Sequence, residues 1–165
     1  MHNTTAAGAI ALALLGAPAA AQTPAPAPCT DAAYRQFDFW IGHWDVYAPN
    51  GSKVGENRIE AFGGGCGLLE NWSGGSGVTG KSLNMYDATD KQWHQAWVDS
   101  SGSRLLLDGQ FSDGKMVLAA PGQRISWSVN PDGSVRQHWQ SSTDGGKTWT
   151  TAFDGKYVKR RQGGT

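Results

Sequence analysis

Several features that mark other protein classes are scarce in this 165-residue chain. Only 17% of its residues are charged, and 14 Lys and Arg balance 14 Asp and Glu, so the formal net charge is zero. A chain without a surplus of cations is poorly suited to nucleic acid, because phosphate contacts require Lys and Arg in excess. Low net charge also argues against intrinsic disorder. The composition therefore indicates a folded domain with no nucleic-acid partner.

The chain also lacks an apolar run long enough to cross a bilayer, which needs about 20 residues. Residues 6–21 are almost wholly Ala, Leu, Ile and Gly and end in three alanines, which is typical of a secretory signal, although no Lys or Arg precedes them. We interpret residues 1–21 as a signal peptide and residues 22–30, rich in Pro and Ala, as an extended linker. The protein is therefore predicted to be periplasmic or secreted, without membrane contact after cleavage.

Cysteine is nearly absent. Cys29 and Cys66 are the only two, and in an exported chain a pair of cysteines favours one disulfide bond. Such a bond would stabilise the fold by roughly 3–4 kcal/mol on the chain-entropy model. It would also attach the N-terminal segment to the third predicted strand. Two free thiols remain the alternative.

Glycine and tryptophan are abundant, with 23 and eight copies, and turn signals such as Asn130-Pro131-Asp132-Gly133 recur every 8–14 residues. Short segments between such turns predict antiparallel strands. We expect one short helix over residues 31–41, capped by Asp31. The strands are placed near residues 43–48, 54–62, 66–73, 79–87, 91–99, 103–111, 114–119, 123–130, 133–141 and 148–161.

These strands need their edges covered, and short hairpin connections favour closure of the sheet into a barrel. We therefore predict an all-β fold for residues 31–161: an antiparallel up-and-down β-barrel of about 8–10 strands with one short N-terminal helix. Residues 162–165 form a C-terminal tail. A barrel of this size is wide enough to hold one small ligand.

The start of the first strand, Gly42-His43-Trp44, resembles the Gly-x-Trp start of the calycins, the barrel superfamily of lipocalins and fatty-acid-binding proteins. The longer pattern resembles exported bacterial calycin-like domains of unknown function; it comprises residues 37–45, Gly65-Cys66, Glu70-Asn71-Trp72, Tyr86-Asp87 and Trp139. The resemblance implies a barrel whose Trp44 lies at the closed end, against a basic residue of the last strand. Of Lys159, Arg160 and Arg161, we favour Arg160. The resemblance implies no catalytic residues.

Residues 142–149 match the Asp-box pattern Ser-x-Asp-x-Gly-x-Thr-Trp. In sialidase-like propellers this box recurs in each blade, whereas here it occurs once, and a propeller needs several blades of about 40 residues. We therefore interpret it as a stable hairpin and not as the mark of a glycosidase.

Three predicted strands share one local form, a polar residue two positions before a tryptophan. Residues two apart on a strand lie on the same face. If those faces point inward, the barrel encloses a cavity in which indole rings and polar groups converge, which suits a small hydrophobic or aromatic ligand. The candidate ligand-binding residues are Glu70, Trp72, Asn84, Tyr86, Gln95, Trp97, Gln137 and Trp139. The opposite faces carry Leu83, Met85, Ala96 and Val98, so the sequence leaves inside and outside undecided.

Two other hypotheses stay open. The first is an enzyme of unknown reaction on the same barrel, in which burial raises the pKa of Glu70 so that it acts as acid or base. The second is a solid-core structural module that forms a homodimer through an outer Leu83/Met85 face. We name no catalytic residue, because the sequence shows no convincing Ser/His/Asp order, cysteine nucleophile or phosphate-binding loop. We name no metal site or cofactor, because His43, His94 and His138 are each out of phase with a neighbouring tryptophan and are expected to face outward.

Overall fold

The computed structural model of the protein describes Met1 and residues 29–160. The predicted signal peptide after Met1, most of the predicted linker, Arg161 and the predicted tail lie outside the described residues. Between Gly42 and Lys159 the chain forms ten strands: β1 Gly42–Tyr47, β2 Lys53–Phe62, β3 Gly67–Gly74, β4 Thr79–Asp87, β5 Gln92–Asp99, β6 Arg104–Ser112, β7 Lys115–Ala120, β8 Gln123–Val129, β9 Val135–Ser141 and β10 Thr150–Lys159.

The ten strands form one closed antiparallel barrel in which each strand pairs with the next along the chain. Closure occurs between the first and last strands, where Trp44 lies opposite Lys159 and Tyr47 opposite Lys156. The predicted up-and-down barrel is confirmed, and its strands begin and end within about two residues of the predicted limits, because Gly-rich turns mark nearly every boundary. The architecture is compatible with a calycin-like barrel.

The hairpin turns have the geometry that their sequences predict. In the β8–β9 turn, Gly133 takes a φ of +78°, and its N–H donates to the Asn130 carbonyl at 2.9 Å. In the Asp-box turn between β9 and β10, Asp144 Oδ1 accepts the backbone N–H groups of Lys147 and Thr148, both at 2.9 Å. The Trp149 indole N–H donates to the Gly146 carbonyl at 3.0 Å. These contacts agree with the interpretation of the box as a hairpin.

The N-terminal segment covers one end of the barrel. Its helical part consists of two short 3₁₀ helices, Ala32–Arg35 and Asp38–Trp40, and the Asp31 side chain makes no capping hydrogen bond. Phe37 and Trp40 are fully buried. The Phe37 ring stacks on that of Trp40 at 4.9 Å and meets the Trp127 ring edge-on at 5.2 Å. We call residues 31–41 the plug.

Covalent and polar contacts attach the plug to the barrel. The predicted disulfide bond joins Cys29 to Cys66, which precedes β3. The Trp93 indole N–H donates to Gln36 Oε1 at 3.1 Å, and the Trp44 indole N–H donates to the Trp40 carbonyl at 2.9 Å. The plug therefore closes the barrel end at which β1 begins and β10 ends. None of the helices in the described part of the chain has the length and hydropathy that a membrane crossing requires.

Candidate functional site

The opposite end of the barrel opens into a cavity that we call the cup. Its volume is about 130 Å³. Aromatic rings form its walls near the mouth, and polar side chains form its floor in the middle of the barrel. The lining residues are Glu70, Trp72, Gln95, Trp97, Leu105, Ile125, Gln137, Trp139, Phe153 and Tyr157.

Two of the mouth indoles lie flat along the wall because glycine stands beneath them. A Cβ atom on Gly55 would come within 2.5 Å of Trp72 Cη2, and one on Gly80 would overlap the six-membered ring of Trp97. Real Cβ atoms essentially never approach so closely, so both positions require glycine while the indoles stay where they are. The glycines thus keep the rings against the wall and leave the axis of the cup open.

The floor of the cup is a hydrogen-bonded network centred on Glu70, which is only 4% exposed. Glu70 Oε1 accepts from Asn57 Nδ2 at 2.7 Å, and Oε2 accepts from the Ser82 hydroxyl at 2.5 Å. The same hydroxyl accepts from Asn84 Nδ2 at 2.8 Å, while Asn84 Oδ1 accepts from Gln95 Nε2 at 2.8 Å. Buried polar groups of this kind require partners, and these hydrogen bonds supply them except at Asn57 Oδ1, which has no partner among the described residues.

A second part of the floor comes from the last two strands. The Tyr157 hydroxyl donates to Gln137 Oε1 and lies 3.5 Å from Asn57 Nδ2. Burial, together with the nearby Glu70 carboxylate, raises the pKa of Tyr157 well above its usual value. The phenol therefore stays protonated at neutral pH and acts as a hydrogen-bond donor.

Burial also raises the pKa of Glu70 from 4.5 to about 7, and the hydrogen bonds from Ser82 and Asn57 offset only part of that effect. A carboxylic acid with a pKa near 7 exchanges its proton within the physiological range. Within the described part of the chain, Glu70 is the one acidic side chain that lines the cup, and no Lys, Arg or His lines it. The cup therefore has a single titrating group at neutral pH.

Six of the eight predicted ligand-binding residues line the cup: Glu70, Trp72, Gln95, Trp97, Gln137 and Trp139. Asn84 belongs to the floor network but is fully buried behind the lining, where its Oδ1 accepts from Gln95 Nε2. Tyr86 does not belong to the cup. It lies near the plug, with its ring 5.2 Å from that of Tyr34. Tyr86 is four residues beyond Ser82 on β4, and this distance takes it from the floor of the cup towards the closed end.

Four residues that line the cup are not among the predicted ligand-binding residues: Leu105, Ile125, Phe153 and Tyr157. Leu105 and Ile125 are aliphatic and lack the indole that marks the predicted ligand-binding strands, so nothing in the local pattern distinguishes them from core residues. The register of β10 shifts between Thr151 and Phe153, so a strict period-two count along that strand is misleading.

The basic residue that lies against the Trp44 ring is Lys159 and not the predicted Arg160. Lys159 Nζ lies 5.5 Å from the centre of the Trp44 ring. Arg160 instead donates to Glu56 Oε2 at 2.8 Å and lies 3.4 Å from Asp45 Oδ1. Alternation explains the difference, because Lys159 is the direct partner of Trp44 in the ladder and Arg160 is one residue further.

His43, His94 and His138, the histidines of the described residues, are at or near the outer surface. His43 is exposed, and His138 Nε2 lies 3.0 Å from the Thr151 hydroxyl. His94 lies between two carboxylates, with Nδ1 2.6 Å from Asp108 Oδ1 and Nε2 3.1 Å from Asp90 Oδ2. Asp87, Asp90 and His94 form a group of three potential metal ligands within 4.8 Å of one another. However, Asp87 and Asp90 already accept backbone N–H groups of their own turn.

No protein-family model and no curated protein sequence matches this chain. Function is therefore inferred from the geometry of the cup and the chemistry of its lining.

Proposed function

We propose that this protein is an exported calycin-like barrel that binds a small hydrophobic or aromatic ligand in the cup. The observation that carries the proposal is a cavity with three half-buried indoles at its mouth and a hydrogen-bonded polar floor. A site of this kind, mostly apolar with a few convergent polar groups, is what small-molecule binding requires. A ligand would stack on the rings and be oriented by the floor.

The size of the cup limits the ligand. A dry cavity of about 150 Å³ accommodates one benzene ring. The cup, at about 130 Å³, therefore encloses a group of about that size, and the rest of a larger ligand extends through the mouth. This favours a compact ligand over a long acyl chain.

Export is supported by two features. The Cys29–Cys66 disulfide bond is of the kind that forms and persists in oxidising compartments. The Ala- and Leu-rich residues 6–21 have the composition of a secretory signal, and they lie outside the described residues.

Native mass spectrometry of the protein purified gently from the exported fraction tests ligand binding directly. We expect a mass above that of the oxidised chain, and gentle activation should release the bound compound as a small molecule. Isothermal titration with benzyl alcohol supplies a second measurement that does not depend on a retained ligand.

Two adjacent leucines on β6 supply a matched pair of variants. Leu105→Trp places a large ring in the cup, whereas Leu106→Trp places the same ring on the outer surface, where Leu106 is about half exposed. We expect Leu105→Trp to abolish binding and Leu106→Trp to retain it. Equal binding by both folded variants, or no binding by the unmodified protein, would overturn the proposal.

A second candidate function is acid–base catalysis by Glu70, and the observation that favours it is the burial of this carboxyl at the floor of the cup, which raises its pKa to about 7. In that case Glu70→Gln would abolish turnover of a bound compound while leaving its affinity nearly unchanged. Conversion of the compounds that co-purify with the unmodified protein, followed by mass spectrometry over time, distinguishes the two functions.

We further propose that a second copy of this chain covers the outer face of β4, β5 and β6. Leu83, Ala96 and Leu106 are direct ladder partners there and form one exposed apolar row. On β6, Arg104 lies two residues from Leu106 on the mouth side of this row, and Asp108 lies two residues from Leu106 on the plug side. A two-fold axis along the apolar row therefore places Arg104 of each copy over Asp108 of the other.

Sedimentation velocity at micromolar concentration tests this interface. Leu83→Lys is expected to convert a dimer into a monomer, and Val129→Lys, at an exposed position on β8, is the control that should remain dimeric. A monomer at every concentration, or a dimer that survives Leu83→Lys, would contradict it.

A further inference from the structure

The buried carboxylate at the floor of the cup has no cationic partner. Glu70 accepts hydrogen bonds from the neutral Asn57 amide and the neutral Ser82 hydroxyl, and within residues 29–160 no Lys, Arg or His forms an ion pair with it. Buried ionised groups in proteins are normally paired, since burial without a counter-charge is costly. The floor thus holds an acidic group for which the side chains of the described residues supply no cationic complement.

The walls above this carboxylate also favour a positively charged group. Trp72, Trp97, Trp139 and Phe153 line the cup. Aromatic faces carry the negative part of the ring quadrupole and attract cations, most strongly when water is excluded. Gln95 uses Nε2 in the network, so its Oε1 remains a further acceptor in the lining.

We propose that the ligand of the cup carries a cationic amine, whose N–H groups meet Glu70 while its apolar part lies among the indoles. This inference rests on the proposed binding function and narrows it to small ammonium compounds, aromatic or compactly aliphatic. The same lining disfavours an anionic ligand while Glu70 is ionised, because a second negative charge beside the carboxylate would be repelled.

Proton exchange at Glu70 gives the proposal a second signature. An ammonium group favours the ionised carboxylate, so binding lowers the pKa of Glu70 from about 7 and releases a proton at neutral pH. The other titratable group that faces Glu70 is Tyr157, whose pKa is raised well above 10, so it stays neutral throughout. Asn57, Ser82 and the two floor glutamines do not titrate.

The test compares three probes of nearly equal size and different charge: benzylamine, benzyl alcohol and benzoate. Isothermal titration at pH 8 is expected to show that benzylamine binds at least about tenfold more tightly than benzyl alcohol, the gain of one charge-assisted hydrogen bond. At pH 5.5, where Glu70 is protonated and benzylamine is still an ammonium ion, we expect that preference to disappear. Titration at pH 7 in buffers of different ionisation enthalpy should show release of about half a proton per benzylamine bound.

The outcomes distinguish failure of this inference from failure of the proposed binding function. Equal affinity of benzylamine and benzyl alcohol at pH 8, or a preference for benzoate, would overturn the cationic ligand and leave a cup that binds neutral or anionic rings. Failure of all three probes to bind would overturn both proposals. Glu70→Gln is expected to remove the preference for benzylamine and keep benzyl alcohol binding, and Glu60→Gln on the outer surface of β2 is the control.

Discussion

The two ends of this barrel are built from the same kinds of residue and differ in what fills them. At the plugged end, Trp44, Trp93 and Trp127 are buried because Phe37 and Trp40 enter the barrel from the N-terminal segment. At the mouth, Trp72, Trp97 and Trp139 have no such cover among the described residues and stay half-buried around the cup.

The comparison shows that an indole ring has no fixed role in a barrel of this type. One set of rings packs on the protein's own side chains and stabilises the fold, and the other set surrounds space that a ligand can enter. The N-terminal segment decides which end is which, since it is held at one end by the Cys29–Cys66 bond. Changes to the plug should therefore alter stability, whereas changes to the cup should alter binding.

The largest expected effect is the loss of a ring from the plug. Phe37→Ala removes a side chain that is fully buried and contacts four aromatic rings, so it should lower the free energy of unfolding by about 3–5 kcal/mol. Trp97→Ala at the mouth is the matched change and should cost clearly less, because that ring is only partly buried. Urea denaturation measures both. Equal losses would show that the two ends do not differ as described.

Removal of the disulfide bond should come next. The bond closes a loop of 37 residues, so replacing Cys29 and Cys66 together by Ser should cost about 4 kcal/mol on the chain-entropy model and lower Tm by about 10–20 °C. Differential scanning calorimetry checks the value, and reduction of the unmodified protein with dithiothreitol is the control. Hydrogen exchange should increase first in residues 31–41, and an unchanged plug would contradict its attachment through this bond.

The pH dependence of stability should report on the cup floor. Because the pKa of Glu70 rises from 4.5 in the unfolded chain to about 7 in the folded protein, the folded protein holds a proton that the unfolded chain has lost between these values. Stability should therefore fall as pH rises from 4.5 to 7, by about 3 kcal/mol, and this contribution should be constant above pH 7.

Glu70→Gln should remove that fall, whereas Glu60→Gln on the outer surface should retain it. Urea titrations at half-unit pH intervals compare the two variants with the unmodified protein. If the free energy of unfolding falls equally with pH in all three proteins, burial of Glu70 is not the cause of the fall.

The smallest effect concerns the wall of the cup. Gly80→Ala adds a methyl group that overlaps the Trp97 ring and pushes it towards the axis, so benzyl alcohol affinity should fall about tenfold, equivalent to about 1.4 kcal/mol. Combining it with Trp97→Phe should restore part of the affinity, because the smaller ring leaves room for the methyl group. Calorimetric titration of both variants measures the change, and a double variant no better than the single one would contradict this role of Gly80.

Much of this architecture was predictable from local pattern. The strand limits follow from turn residues such as Gly133, whose positive φ favours glycine, and from the period-two placement of Glu70 with Trp72 and of Gln95 with Trp97. Tyr86 shows the limit of the same reasoning. It shares a face with Asn84, but a face runs the whole length of the barrel and does not say at which depth a cavity begins.

The plug shows a different limit. The pattern of residues 31–41 indicates a helix, yet no local signal shows that Phe37 and Trp40 fill one end of the barrel, since their partners Trp93 and Trp127 are more than fifty residues away in the sequence. The choice of Lys159 over Arg160 was likewise set by the ladder between the first and last strands.

From its amino acids alone, this chain specifies ten antiparallel strands, their turns and one possible disulfide bond, because these depend on neighbours in sequence and on the number of cysteines. Which faces point inward, which end is closed and how deeply Glu70 is buried depend on contacts between distant strands. Those contacts exist only once the barrel closes, and burial in that closed interior is what raises the pKa of Glu70 and makes the cup a candidate site.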